Sequence, residues 1–153
     1  MRQWIVTRDN SRIRLFRFIG LHHPRREEIT PEEAIRAMTA HVNKRINIVA
    51  RGYEVGAPCP DAQVLATAIL LDFFGGNIDP DVTDARAWIR DKVFDNFHMF
   101  TRHLTVRLKV REGQEVTIRE KEIRAWLDGN QLSDRSPFIA LREQLDYEKR
   151  VNA

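Results

Sequence analysis

The chain is poor in cysteine, lysine and long apolar runs, and each shortage excludes something. A single cysteine, Cys59, leaves no internal disulfide and no multi-cysteine zinc site. No apolar run approaches the ~20 residues that a membrane-spanning helix requires. Residues 1–9, Met-Arg-Gln-Trp-Ile-Val-Thr-Arg-Asp, lack the apolar core of a signal peptide. A cytoplasmic protein without a membrane partner is therefore expected. Lysine is scarce beside arginine, which tilts the basic groups toward recognition of phosphate or carboxylate. Internal repeats and low-complexity tracts are absent.

What is present suits a globular chain. With 153 residues, 42% hydrophobic and 31% charged, one domain with a sizeable core is expected over 1–153. The net charge of +3 conceals an uneven distribution: residues 1–51 carry 11 Lys+Arg against 5 Asp+Glu, residues 52–100 carry 3 against 8, and residues 101–153 carry 11 against 9. An acidic middle between basic ends points either to a basic surface for nucleic acid or to packing of the middle against the ends.

Residues 3–7 and 12–19 read as two strands joined by a turn at Asp9-Asn10-Ser11. In the second strand Ile13, Leu15 and Ile19 share a face that Arg17 interrupts, while Arg12 and Arg14 share the other with Phe16 and Phe18. His22-His23-Pro24-Arg25-Arg26 reads as a loop. Thr30-Pro31-Glu32-Glu33 starts a helix to about residue 44, and 45–50 reads as a short strand. Residues 61–74 form a helix that is apolar nearly all round and must be buried. It stops at Gly75-Gly76. A further helix spans about 83–98, with Asp81 and Asp84 suiting its N-terminal dipole. His103–Arg111 alternates strictly, which predicts a half-exposed strand. The Thr117–Glu120 capping pattern starts a helix to about 127, and Ser136-Pro137 starts a last helix to about 149. The expected fold is α+β, a small mixed or antiparallel sheet packed against four to five helices. A basic hairpin plus helix occupies 1–49, a core 50–128 and a terminal helix 129–153.

Three pieces carry a family resemblance: Gly52-Tyr53-Glu54-Val55-Gly56, the helix opening Pro60-Asp61-Ala62-Gln63, and Phe97 through a basic strand to Ile118–Leu127 with its Trp126-Leu127 close. Over residues 50–128 the chain resembles a small uncharacterised domain family of bacterial, archaeal and phage proteins. The family usually has a Gly-aromatic-Glu-aromatic-Gly turn and a glycine-rich run before the helix. Here Val55 replaces the second aromatic and Ala57-Pro58-Cys59 the run. The resemblance implies a phage or mobile-element setting and supplies no catalytic residues.

On the predicted strand, Arg107, Lys109 and Arg111 form a basic ladder whose spacing matches that of phosphates along an extended nucleic-acid backbone. With Arg12 and Arg14 they are the expected contact surface of a non-catalytic binding protein. Its partner would be nucleic acid, a nucleoprotein or an acidic host protein. The alternative is a protein–protein module, such as an inhibitor of a host defence complex or a homo-oligomer, resting on Trp4, Phe16 and Phe18. A remote third reading is a phosphoesterase built on His103-Leu104-Thr105, which is half of a paired-histidine signature; no second His-x-Ser or His-x-Thr unit exists. No cofactor or metal is expected. His22-His23 has no well-placed third ligand, and Asp79, Asp81 and Asp84 fail calcium-loop spacing. Cys59, between two prolines, reads as structural, since no neighbouring histidine offers a base.

Overall fold

In the computed structural model, residues 2–19, 25–41 and 50–129 are described. β1 (Gln3–Asp9) and β2 (Arg12–Ile19) form a hairpin whose two-residue tip, Asn10 and Ser11, has positive φ angles of 51° and 64°. This mirror-image turn matches the twist of paired strands. The Glu112 carboxylate holds the tip by accepting the amides of Asn10 and Ser11 at 2.6 and 3.0 Å.

β3 (Arg25–Ile29) pairs with β2 and β4 (Glu115–Arg119) with β1, completing a four-stranded antiparallel sheet in the order β3-β2-β1-β4. Among the described residues four α-helices go with it, α1 (Pro31–His41), α2 (Pro60–Gly75), α3 (Ala85–Phe100) and α4 (Glu120–Leu127), so the fold is α+β as expected. The sheet joins the N-terminal hairpin to the 50–128 segment, because β4 of the latter lies against β1 of the former.

The inner face of the sheet presents Trp4, Val6, Ile13, Leu15 and Ile118 to the core. Ten of the sixteen residues of α2 are buried, including Val64, Leu65, Ile69 and Leu70. This helix is the centre of the fold because it has no polar face to give to water. Its one buried hydroxyl, on Thr67, donates to the Gln63 carbonyl at 2.8 Å. Arg17 interrupts the inner face of β2, and Asp72 of α2 answers it: Arg17 Nε lies 3.3 Å from Asp72 Oδ2, and the Trp4 indole N–H donates to the same carboxylate at 2.8 Å.

Three expectations are corrected. Residues 25–26 belong to β3 rather than to a loop. The strand Arg-Arg-Glu-Glu-Ile has no apolar alternation; its register sets Glu27 opposite Arg17 and Glu28 opposite Phe16, so charge across the pair specifies it, and a charged edge discourages further strand addition. The strand expected over 103–111 does not form. α3 runs into a π-helical turn, Thr101–Thr105, whose signature is the Val106 amide bonded to the Thr101 carbonyl at 3.0 Å. The threonine hydroxyls are satisfied there, Thr101 by the Phe97 carbonyl and Thr105 by the Ala62 carbonyl of α2, so this run is buried without a strand partner. Alternating burial survives only beyond the turn, at Leu108, Lys109, Val110 and Arg111. Third, Thr117 does not cap a helix. Val116 and Ile118 pair with β1, the strand continues to Arg119, and α4 begins at Glu120.

The 42–44 end of the first expected helix, residues 45–49 of the expected short strand, His22-His23 and the helix expected over 137–149 lie outside the described residues. Among the described residues no helix is long and apolar enough to cross a membrane.

Candidate functional site

The strand expected to carry the ladder of Arg107, Lys109 and Arg111 is not formed, so these three are not spaced along a strand. Arg14 lies on the outer face of the sheet, where its Nε and Nη2 donate to the two oxygens of Glu28 at 2.9 and 2.8 Å, Nη1 lies 3.7 Å from Asp9, and the guanidinium lies over the Phe16 ring at 4.9 Å. Hydrogen bonding from Arg14 holds the Glu28 carboxyl below the ordinary carboxylate range, and the same bond raises Arg14. Arg12 is exposed at the start of β2. Arg107 follows the π-helical turn, with Nε donating to the Arg102 carbonyl at 3.2 Å. Lys109 and Arg111 are exposed on a segment without strand pairing.

The outer face is not uniformly basic. Arg26 donates to both oxygens of Glu115 at 2.7 and 3.0 Å, although β2 and β1 separate their strands. Arg26 is opposite Phe18 and Gln3, and Glu115 opposite Thr7, so the diagonal between them crosses the row of Phe16 and Ile5. The sheet must curl along that diagonal for the pair to meet, which agrees with the burial of Ile5 on a face that a flat sheet would leave open. Trp4, expected at a partner surface, is instead fully buried in the core.

His103 sits in the π-helical turn, 8% exposed, and its Nδ1 accepts from the Trp126 indole at 3.1 Å. The strand-borne His-x-Thr unit is therefore not formed. Cys59 stands at the N-cap of α2 and caps nothing with its side chain. It lines a hollow of 560 Å³ with Gln63, His98 and Arg102, a grouping of thiol and imidazole that their separation in sequence hid. The motif carrying the resemblance has structural work to do: the Tyr53 hydroxyl donates to the Ile29 carbonyl at 2.8 Å, and Glu54 pairs with Arg8 at 2.8 Å. Burial, and then the nearby Glu32, Glu28 and Glu33, push the Tyr53 phenol well above its usual value, so it remains a donor.

A concave surface lies between α1 and α3. Both helices pack on α2 and scarcely on each other, leaving a cleft with Leu71 of α2 in its floor. The cleft has three parts, all lined by Leu71. At one end, beside the sheet, Arg17, Thr30, Glu33 and Asp72 surround 220 Å³. In the middle, Arg36 of α1 faces Arg86 and Arg90 of α3 across 440 Å³, with Glu33, Ala37 and Ile89. At the other end Met38, Thr67, Val93, Phe94 and Phe97 line a small apolar notch of 20 Å³ next to Arg90. Arg86, Arg90 and Phe94 follow one another at four-residue steps, so they form a single row on the wall of α3, about 6 Å apart along its axis. Arg36 has Glu32 as a further acidic neighbour on α1; that carboxyl is lowered by the Thr30 hydroxyl first, then its own backbone amide, and last by Arg36. Arg36, Arg86 and Arg90 were not among the expected contact residues. The i,i+4 arginines were legible on α3, but which helix α3 would face was not.

Among the described residues no three His, Cys, Asp or Glu side chains are grouped to hold a metal ion. Compared with known proteins, the chain matches no family model, no curated protein and no solved structure.

Proposed function

We propose that this chain is a non-catalytic binding protein that holds nucleic acid by its phosphates, in the cleft between α1 and α3. One observation carries the reading. Three guanidiniums from two helices, Arg36, Arg86 and Arg90, line a single hollow in which Glu33 is the one carboxylate. Guanidinium is the side chain best matched to phosphate oxygens. A phage or mobile element is the setting we propose, on the resemblance of residues 50–128 alone.

A gel-shift titration at about 50 and 200 mM salt tests it. Three phosphate contacts give a slope of about −2 to −3 in log affinity against log salt, hence roughly a 20- to 50-fold loss across that range. The triple variant R36E/R86E/R90E is expected to lose binding, while R107E/K109E/R111E stays within a few-fold of wild type. Full binding by the first variant would sink the reading; loss confined to the second would move the site to residues 107–111.

A further inference from the structure

We infer that the middle of the cleft takes the end of a strand, a terminal phosphate monoester seated among Arg36, Arg86 and Arg90; this rests on the phosphate-binding reading above. Three observations carry it. First, these arginines lack the acidic partners that others have. Arg2, Arg8, Arg14, Arg17, Arg26 and Arg124 each lie within 3.5 Å of a carboxylate oxygen. Arg36, Arg86 and Arg90 are exposed and form no ion pair with any described residue, and Arg90 uses only its Nε, donating to the Arg86 carbonyl at 3.5 Å. Second, the charge of their hollow suits a monoester. Three guanidiniums against one carboxylate, Glu33, leave a formal +2. A phosphate inside a strand is a diester with one negative charge. A terminal monoester has a second pKa of about 6, so it carries about −1.5 to −2 at pH 7 and offers three strong acceptor oxygens. Guanidiniums bind such oxygens through charge-assisted hydrogen bonds. Third, both neighbouring parts of the cleft turn away a polyanion that runs on. Toward the sheet lie Glu33 and Asp72, and Asp72 already answers the one arginine there, Arg17, at 3.3 Å. Toward Phe97 the notch has 20 Å³, room for about one water and not for a phosphate. A strand that enters from solvent therefore ends between α1 and α3.

The test is fluorescence anisotropy with an internally labelled oligothymidylate carrying a phosphate at its 5′ end, at its 3′ end or at neither, in about 50 mM salt. A phosphorylated strand is expected to bind about 10- to 100-fold more tightly than the unphosphorylated one, the worth of one further hydrogen bond to a charged group. That preference should shrink as pH falls from about 7.5 to about 5.5, because the monoester gains its second proton. Among the described residues the charged lining is Glu33 and Arg36 of α1 and Arg86 and Arg90 of α3, α2 adding only Leu71, so no histidine of the hollow titrates in that range. R36Q/R86Q/R90Q, changed only at exposed positions and checked for folding by circular dichroism, should lose the preference. Thymidine monophosphate separates a strand end from a free nucleotide: it should compete only in large excess. Equal binding of the three strands, or a preference indifferent to pH, overturns the strand-end inference and leaves the arginine contacts standing. A preference that survives the triple glutamine variant puts the end elsewhere and overturns it too, as does competition by the mononucleotide at equal concentration. Failure of wild type to bind any of the strands, or full binding by R36E/R86E/R90E, overturns both readings.

Discussion

Arg17 and Asp72 meet on the inner side of the sheet, Nε to Oδ2 at 3.3 Å, with the two side chains only 26% and 12% exposed. Each makes the other tolerable there. Asp72 serves more than Arg17: it accepts the Trp4 indole, and Arg2 reaches both its carboxylate, at 3.5 Å, and its main-chain carbonyl, at 2.8 Å. Two cations and an indole thus converge on one carboxylate at the end of an otherwise apolar helix.

Removing that carboxylate should therefore hurt more than removing its partner. Asp72→Ala leaves Arg17 beside the core with only Glu27, at 4.0 Å, as counter-charge, and the Trp4 N–H without an acceptor. Breaking a fully buried pair costs about 3–5 kcal/mol; with Arg17 partly in water, about 2–3 kcal/mol is expected. Arg17→Met, which keeps the stem, should cost about 1 kcal/mol, since Asp72 retains Trp4 and Arg2. In the double variant the coupling should be positive, near 1 kcal/mol, by urea unfolding. Additive single effects would show that the contact contributes nothing.

The pairs on the outer face set an acid limb. Hydrogen bonds from Arg14 and from Arg26 lower the Glu28 and Glu115 carboxyls below their ordinary 4.5. A carboxyl whose pKa is lower in the folded state contributes stability that is complete above its unfolded value. The contribution drains away as pH falls through the folded value. Unfolding free energy should thus decline as pH drops below about 4.5, with each exposed pair responsible for no more than a few tenths of a kcal/mol after screening. Denaturation by urea between pH 7 and 3 should show a shallower acid slope in an E28Q/E115Q variant than in wild type. Identical slopes would mean that neither pair forms in solution.

Much of this architecture is legible in the chain because burial leaves a periodic trace. The hairpin shows in the alternation of 12–19, the central helix in its lack of any polar face, and Arg17 already stands out as a charge on an apolar side. What escapes is whatever rests on contacts between distant residues. β3 is registered by charge against Arg17 and Arg14, and a charged pentapeptide reads equally well as a loop. The run 103–111 alternates like a strand, but Thr101 bonds back to Phe97 one turn earlier and Thr105 reaches Ala62 of α2, so a local and a tertiary hydrogen bond override the pattern. Arg36 lies 50 and 54 residues before Arg86 and Arg90, and only the packing of both helices on α2 makes them neighbours.

The two glycines of the turn that carries the resemblance should prove unequal. Gly56 has φ +82°, its amide donates to the Thr105 carbonyl at 2.9 Å, and a methyl group placed on it would lie 3.2 Å from the Leu108 carbonyl oxygen. An alanine there meets both a disfavoured backbone region and a main-chain atom that cannot swing aside. Gly52 has nothing within 4 Å of such a methyl and no positive φ. Gly56→Ala is expected to destabilise by about 1–3 kcal/mol, and Gly52→Ala to change stability by less than about 1 kcal/mol, with a gain allowed from the stiffer unfolded chain. The comparison isolates geometry from glycine content, because both variants make the same chemical change four residues apart. Equal effects in urea unfolding would mean that Gly56 does not hold the left-handed conformation that docks this turn on residues 105–108.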